Sequence, residues 1–149
     1  MNAQRDLASL TGLELMQRVI SGQLPPPGIA DLLGMDMEEV GDGFAQFALN
    51  PDARMLNPLG SVHGGIAATL LDSCMGCAVH TTLPHGTGYT PAQLNVHYLR
   101  PMRPGMGRVR AVGTVLHRGR TQSTAEGKLL DASGRMLAHA TTTCLILTP

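Results

Sequence analysis

Asp72 is the residue of this sequence whose surroundings are most typical of a catalytic group. Aspartate is a poor helix former and its charge is costly to bury. A carboxylate held in an apolar cleft can attack a carbonyl carbon directly, or act as the general base that activates water. The alternative is a structural aspartate that bonds to a backbone group or a basic side chain. The neighbours of Asp72 in a predicted helix are small or apolar: Ala67, Ala68, Leu70, Leu71, Met75 and Ala78.

Gly64 and Gly65 open the same predicted helix. The first backbone N–H groups of a helix have no intrahelical acceptor, and the helix dipole places partial positive charge there. Because glycine lacks Cβ, a ligand's carbonyl oxygen can approach these N–H groups closely. The pair is therefore a candidate oxyanion site. The alternative is a glycine pair that serves only tight packing.

The spacing between Gly64 and Asp72 makes a demand on assembly. Eight residues span about 12 Å along a helix, at 1.5 Å per residue. One carbonyl group cannot contact both residues of the same helix. If both serve one reaction, the second must come from a neighbouring subunit, which predicts at least an obligate dimer with two sites about a two-fold axis.

A long buried helix must position these residues. Residues 62–82 are apolar on nearly all sides, so we expect other elements to wrap around this helix. Before it, the sequence predicts a helix at 10–20, an extended connector through Pro25-Pro26-Pro27-Gly28, and a hairpin with strands at 32–39 and 43–49. After it, we expect a four-strand meander of neighbouring strands at 88–98, 105–117, 121–131 and 135–147.

The bulk properties indicate one α+β domain over residues 1–149, with residues 1–28 as an N-terminal helical extension and Pro-rich connector. With aromatics at 3%, the core must be built from Leu, Val, Ala and the nine Met. A formal net charge of zero argues against nucleic acid or an anionic membrane as partner. Without a signal peptide, a membrane span or a disulfide framework, we expect a cytoplasmic location.

Cys74 and Cys77 form a CxxC pair three turns inside the apolar helix. Redox pairs lie at helix N-termini, and with His80 the spacing does not converge on one metal. We therefore expect small buried hydrophobes here, and neither a metal nor a resident cofactor. The G-x-S-x-G elbow of serine α/β-hydrolases is absent.

The run NPLGSVHGGIAATLLD at 57–72, with YLRPMRPG at 98–105 and HRGR at 117–120, resembles the PaaI-type thioesterases of the hotdog superfamily. The resemblance covers roughly residues 30–147. It implies the hotdog fold, an antiparallel sheet curled around a long central helix. It also implies hydrolysis of an acyl-CoA by a homotetramer, a dimer of dimers with its active sites across the dimer interface.

The resemblance also implies roles for individual residues. Asn57 and His63 would position or activate the reacting groups, and the Gly64 N–H would polarise the thioester carbonyl. Asp72 from the partner subunit would attack that carbonyl or activate water. Thr90, on the strand after the helix, would orient the water; an ordinary strand threonine is the alternative.

Four arginines in two predicted turns are candidates for binding the CoA phosphates, because the planar guanidinium binds phosphate oxygens bidentately. The alternative is that they are solvated charges. The four are Arg118 and Arg120, which we favour, and Arg100 and Arg103.

Hydrolysis of an aromatic (phenylacetyl-like) or medium-chain acyl-CoA is the function that the resemblance implies. A hotdog dehydratase would need a histidine with an acidic partner in a sequence context that is absent here. An acyl-CoA sensor with a helix-turn-helix would need two helices before Ile29, and that segment predicts one. A non-catalytic acyl-CoA-binding protein stays the alternative from another functional class.

Overall fold

The computed structural model describes residues 7–149. That residues 1–149 form a single domain stays a prediction, and the first six residues of the predicted extension lie outside the described residues. The helices are α1 (Gly12–Ile20), α2 (Gly28–Leu33) and α3 (Gly64–His80). The strands are β1 (Asp36–Gly41), β2 (Phe44–Leu49), β3 (Gly88–Tyr98), β4 (Val109–Arg118), β5 (Gln122–Leu130) and β6 (Met136–Leu147).

The connector before the hairpin contains a helix that the sequence did not predict. Pro27 precedes the first residue of α2 with φ −66°, and Gly34 ends the helix in the left-handed region at φ +62°. Glycine is the usual residue at such a helix end, because it adopts a positive φ without strain. The prediction of a strand from residue 32 is therefore wrong in its first part, and the strand begins at Asp36.

α3 is the central helix, 17 residues and about 25 Å long. It lies against the inner face of the sheet, in contact with all strands from β2 to β6. β4 approaches so closely that a Cβ at Gly113 would lie 2.3 Å from the carbonyl oxygen of Cys74. Within residues 7–149, no helix is both long and apolar enough to cross a membrane.

The sheet is antiparallel with the strand order β1-β2-β4-β5-β6-β3. The predicted meander is correct for β4, β5 and β6 but wrong for β3, which pairs with β6 instead of β4. The ten residues between β3 and β4 are long enough to cross the end of the sheet. They pass beside the start of α3, where the Val62 N–H donates to the Met102 carbonyl at 3.1 Å.

The core between α3 and the sheet is almost entirely aliphatic, as the low aromatic content predicted. Its fully buried side chains include Leu49, Leu70, Leu71, Met75 and Leu129. β1 and β3 are the edge strands of the sheet within the described residues, and β3 differs from the other strands because most of its residues are exposed. The sheet is therefore curled over one helix and ends in a strand with one free edge.

Candidate active site

Asp72 lies partly buried on the flank of α3, where it lines a cavity of about 400 Å³. Burial raises the pKa of its carboxyl above the usual range. Within residues 7–149 the carboxylate has no hydrogen bond and no ion pair. The structural alternative required such a partner, and the described part of the chain provides none. Asp72 is thus a carboxylate whose acceptor capacity is free for a ligand or water.

The start of α3 leaves one backbone donor free. His63 caps the helix, and its Nδ1 accepts a hydrogen bond from the Gly65 N–H at 2.9 Å. The Gly64 N–H has no acceptor among the described residues. Because His63 Nδ1 is an acceptor here, the neutral ring carries its proton on Nε2. The site therefore offers the Gly64 N–H and, from the exposed imidazole, an Nε2–H.

Tyr98 contacts this helix start and was missed by the sequence interpretation. Its hydroxyl donates to the Gly64 carbonyl oxygen at 3.0 Å. A Cβ at Gly64 would lie 3.3 Å from the Tyr98 ring, so a larger residue here would require the ring to shift by a few tenths of an ångström. The signal for Tyr98 was its position at the head of the YLRPMRPG motif, which the interpretation used only for its arginines.

Asn57 has a local role in the loop that leads to the helix. Its Oδ1 accepts from the N–H groups of Leu59 at 2.9 Å and Ser61 at 3.2 Å, and its Nδ2 donates to Ser61 Oγ at 2.9 Å. These bonds fix the turn before His63. Contact between Asn57 and a reacting group stays a prediction.

Thr90 is exposed on β3, opposite Leu145 of β6. Its neighbour Tyr89 instead reaches the cavity that Asp72 lines. Alternate residues of a strand face opposite sides, so Tyr89 and Thr90 cannot both point to α3 of their own chain. The water-orienting role of Thr90 stays a prediction, and Tyr89 is a cavity residue that the sequence interpretation missed.

The four predicted phosphate-binding arginines do not form one cluster in the chain. Arg118 and Arg120 line a groove with Thr82 at the C-terminal end of α3, and Arg118 forms an ion pair with Asp42 at 2.9 Å. The other two lie in the β3–β4 connection, beside the helix start. There, Arg100 donates to the Met136 carbonyl at 2.6 Å. The two pairs thus lie near opposite ends of a 25 Å helix.

The cysteine pair in α3 is free of disulfides. Burial raises the pKa of the Cys77 thiol to about 12 and that of Cys74 further still. Both thiols are therefore protonated at neutral pH and unreactive. In the described part of the chain, no group of three or more His, Cys, Asp or Glu residues is arranged to hold a metal ion.

Comparisons with known proteins identify the family to which the chain belongs. Residues 59–138 match the thioesterase superfamily. A Halobacterium salinarum protein, provisionally named an esterase, is 35% identical over 113 residues, which cover 72% of this chain and 73% of the relative. The 1,4-dihydroxy-2-naphthoyl-CoA hydrolase of Escherichia coli is 27% identical over 115 residues, covering 77% of this chain and 83% of that enzyme.

Solved structures give the same fold. A phenylacetic acid degradation-related protein from Ralstonia eutropha has a TM-score of 0.78 and 30% identity, over 87% of this chain and 97% of that one. The PaaI protein of Escherichia coli has a TM-score of 0.79 over 91% of this chain and 95% of that one; at 21% identity it supports the fold alone. The chain therefore belongs to the thioesterase superfamily, has the hotdog fold, and is similar to PaaI-type members of that family, as the motif around the central helix predicted.

Proposed function

We propose that the protein is an acyl-CoA thioesterase that hydrolyses an aromatic (phenylacetyl-like) or medium-chain acyl-CoA to the free acid and CoA. The observation that carries the proposal is the Asp72 carboxylate, which is partly buried, has no partner within residues 7–149, and faces an apolar cavity. A carboxylate kept unpaired in such a place is costly for folding, and catalysis accounts for that cost.

The active site in this proposal is formed by two subunits. The Gly64 N–H and Asp72 are about 12 Å apart on one helix, too far to act on one carbonyl group. β3 supports a dimer because it has a free edge in the described chain and exposes the apolar side chains of Leu94 and Tyr98. We propose that a second copy covers this surface, and that two such dimers form the tetramer.

The proposed reaction uses residues of both subunits. The thioester carbonyl oxygen accepts a hydrogen bond from the Gly64 N–H of one subunit, which stabilises the negative charge that develops there. Asp72 of the partner subunit takes a proton from a water molecule as the water oxygen attacks the carbonyl carbon. The C–S bond then breaks, and the CoA sulfur leaves with that proton. In the other route Asp72 attacks the carbonyl carbon, and the C–S bond breaks to release the CoA thiolate and leave a mixed anhydride on the enzyme. Water then hydrolyses the anhydride to the free acid and the Asp72 carboxylate, and the remaining proton goes to the thiolate.

Further parts of the proposal concern recognition. The CoA phosphates are bound by Arg118 and Arg120, or by Arg100 and Arg103. Thr90 orients the water, and Asn57 positions the reacting groups. The reaction as written needs no metal and no redox cofactor. We place the enzyme in the cytoplasm, where three free thiols remain reduced.

The test measures release of free CoA thiol from phenylacetyl-, hydroxybenzoyl-, acetyl-, hexanoyl- and palmitoyl-CoA. Wild-type protein is compared with Asp72→Asn and with Asp31→Asn, a matched change at an exposed aspartate of α2. Turnover that is lost only in Asp72→Asn supports the proposal. Equal rates in all three proteins would show that Asp72 is not catalytic. Binding of CoA esters by wild type without turnover of any of them would favour the non-catalytic acyl-CoA-binding function.

A further inference from the structure

The cavity beside Asp72 has one polar side and otherwise apolar walls. Its polar side chains all belong to α3 or to the first residues of β3: Asp72, Ser73, Cys77 and Tyr89. The opposite walls come from the N-terminal third of the chain. They consist of Leu7, then Leu15, Met16 and Val19 of α1, Leu24, Pro25 and Pro27 of the connector, and Ile29, Met35, Met37 and Phe47 beyond it. No side chain of these walls carries a hydrogen-bonding group.

α1 is a fixed wall of this cavity. Its N-terminus has a capping box, in which the Glu14 N–H donates to Thr11 Oγ1 at 3.2 Å and the Thr11 N–H donates to Glu14 Oε2 at 2.8 Å. The helix packs closely against the end of α3, since a Cβ at Gly12 would lie 1.7 Å from the His80 carbonyl oxygen. The Gly12 N–H also donates to the Leu83 carbonyl at 3.1 Å. These contacts hold the cavity-facing side of α1 in one position over the site.

The size and polarity of the cavity define the acyl group it accepts. A volume of about 400 Å³ is within the ordinary range for a small-ligand site. The thioester must lie at the Asp72 side for reaction, so the acyl group extends toward α1 and the connector. A hydroxyl at the far end of that acyl group would lose its hydrogen bonds to water and find no side-chain partner in these walls.

We propose that α1 and the connector at 21–27 form the specificity-determining wall of the acyl site, and that this wall selects medium-sized acyl groups without a hydroxyl at their far end. The proposal rests on the thioesterase function proposed above. The proposed acyl preference distinguishes this protein from the similar Escherichia coli hydrolase, whose name specifies a dihydroxylated acyl group. Val19, partly exposed to the cavity from α1, is the residue through which the wall can be altered.

The experiment compares ester pairs that differ by one hydroxyl, phenylacetyl-CoA with 4-hydroxyphenylacetyl-CoA and octanoyl-CoA with 8-hydroxyoctanoyl-CoA. We expect kcat/KM to be about 10- to 100-fold higher for the unsubstituted member, the range over which apolar pockets discriminate. Val19→Phe should lower kcat/KM for phenylacetyl- and octanoyl-CoA at least about tenfold more than for acetyl-CoA. Val19→Thr adds a hydroxyl at nearly constant volume. It should lower the ratio of kcat/KM for the unsubstituted ester to kcat/KM for its hydroxylated partner in each pair.

Gln17→Phe is the matched control, because Gln17 lies on the exposed side of the same helix and outside the cavity. Gln17→Phe should leave the kcat/KM ratio within each ester pair unchanged, and likewise the ratio between the larger esters and acetyl-CoA. Equal kcat/KM within the wild-type pairs, or equal losses for acetyl and phenylacetyl esters in Val19→Phe, would overturn the proposal. Thermal unfolding confirms that each variant is folded, and if Val19→Phe is not, Val19→Thr decides the matter alone.

Failure of the proposed function has a different signature. If wild type hydrolyses none of the esters, acetyl-CoA included, the thioesterase proposal fails. The acyl preference is then measured by calorimetry with two stable thioethers, 2-phenylethyl-CoA and 2-(4-hydroxyphenyl)ethyl-CoA. Tighter binding of the unsubstituted thioether by about tenfold supports the wall assignment. Equal dissociation constants overturn it.

Discussion

The carboxylates of Glu38 and Asp72 are both partly buried, but they differ in hydrogen bonding and in the direction of their pKa shift. Glu38 on β1 accepts hydrogen bonds from Arg108 at 2.7 Å, Arg110 at 2.7 Å and Gln46 at 2.9 Å. Burial by itself would raise its pKa, but the bonds from these side chains outweigh that effect and lower it. Asp72 has no such partner within residues 7–149, and burial raises its pKa.

The difference separates a carboxylate that stabilises the fold from one that is available for chemistry. The Glu38 network ties β1 to β4 across β2, and its charge is favoured in the folded state. The charge of Asp72 is disfavoured in the folded state, because α3 withdraws it from water without offering a donor. An unpaired, partly buried charge that destabilises the fold is typical of a functional site.

Activity is the property on which the two residues should differ by the largest factor. Asp72→Asn removes the proposed base or nucleophile, and we expect kcat/KM for the best ester to fall by about 10²- to 10⁴-fold. Glu38→Gln should change kcat/KM by less than about twofold, since β1 contributes no group to the proposed reaction. Stopped-time thiol release on both purified variants measures this. A comparable loss in the two variants would remove the distinction between the carboxylates.

The pH dependence of hydrolysis should report the raised pKa of Asp72. The reaction needs the deprotonated carboxylate, so kcat/KM should fall about tenfold per pH unit below that pKa. Because the pKa is raised by burial, this decline should begin at a higher pH than for an exposed aspartate. Glu38→Gln should keep the same acid limb. An acid limb at the position of a free aspartate, or one that moves in Glu38→Gln, would contradict the assignment.

Stability should show the reverse pattern. We expect Glu38→Gln to lower the free energy of unfolding at pH 7 by about 1 kcal/mol, because two partly exposed arginines lose their charged acceptor. This contribution of Glu38 is present above its unfolded pKa and is lost as pH falls through its lower folded pKa. Asp72 has the opposite sign: its raised folded pKa makes stability fall as pH rises through the interval from the unfolded to the folded value.

Asp72→Asn should therefore leave the free energy of unfolding at pH 7 unchanged or slightly higher. Urea unfolding of wild type and both variants at pH 7 measures these differences, and repetition at pH 4 should narrow them. Strong destabilisation in Asp72→Asn would show that Asp72 has a structural role after all.

Sequence reasoning predicted the elements with a strong local pattern. The apolar run of α3 and the ten-residue strands gave their positions to within a few residues, and β3 was predicted with its observed bounds. The pairing of β3 with β6 was missed because local patterns do not encode which distant strand a segment joins. α2 was missed because a six-residue apolar segment has no clear period.

The candidate site was predicted only in part for the same reason. Asp72 and Gly64 stand out because their residue types conflict with their surroundings or permit unusual contacts. Tyr89 and Tyr98 are ordinary strand residues in the sequence, and only the packing of β3 beside α3 brings them to the cavity and to the helix start. The cavity wall in α1 is likewise a product of tertiary packing, since Gly12 and His80 are far apart in the chain.

Substitution of Tyr98, which contacts the start of α3, should give a smaller loss of activity than substitution of Asp72. Its hydroxyl holds the Gly64 carbonyl and so fixes the first peptide of α3, which makes it a positioning residue for the adjacent N–H donor. Tyr98→Phe keeps the ring against Gly64 but removes this one bond, so the melting temperature should change little. We expect kcat to fall about three- to tenfold with KM unchanged, because the donor acts on charge that develops after binding. A change in KM alone would assign Tyr98 to substrate binding, and wild-type kinetics would show that the helix start is rigid without it.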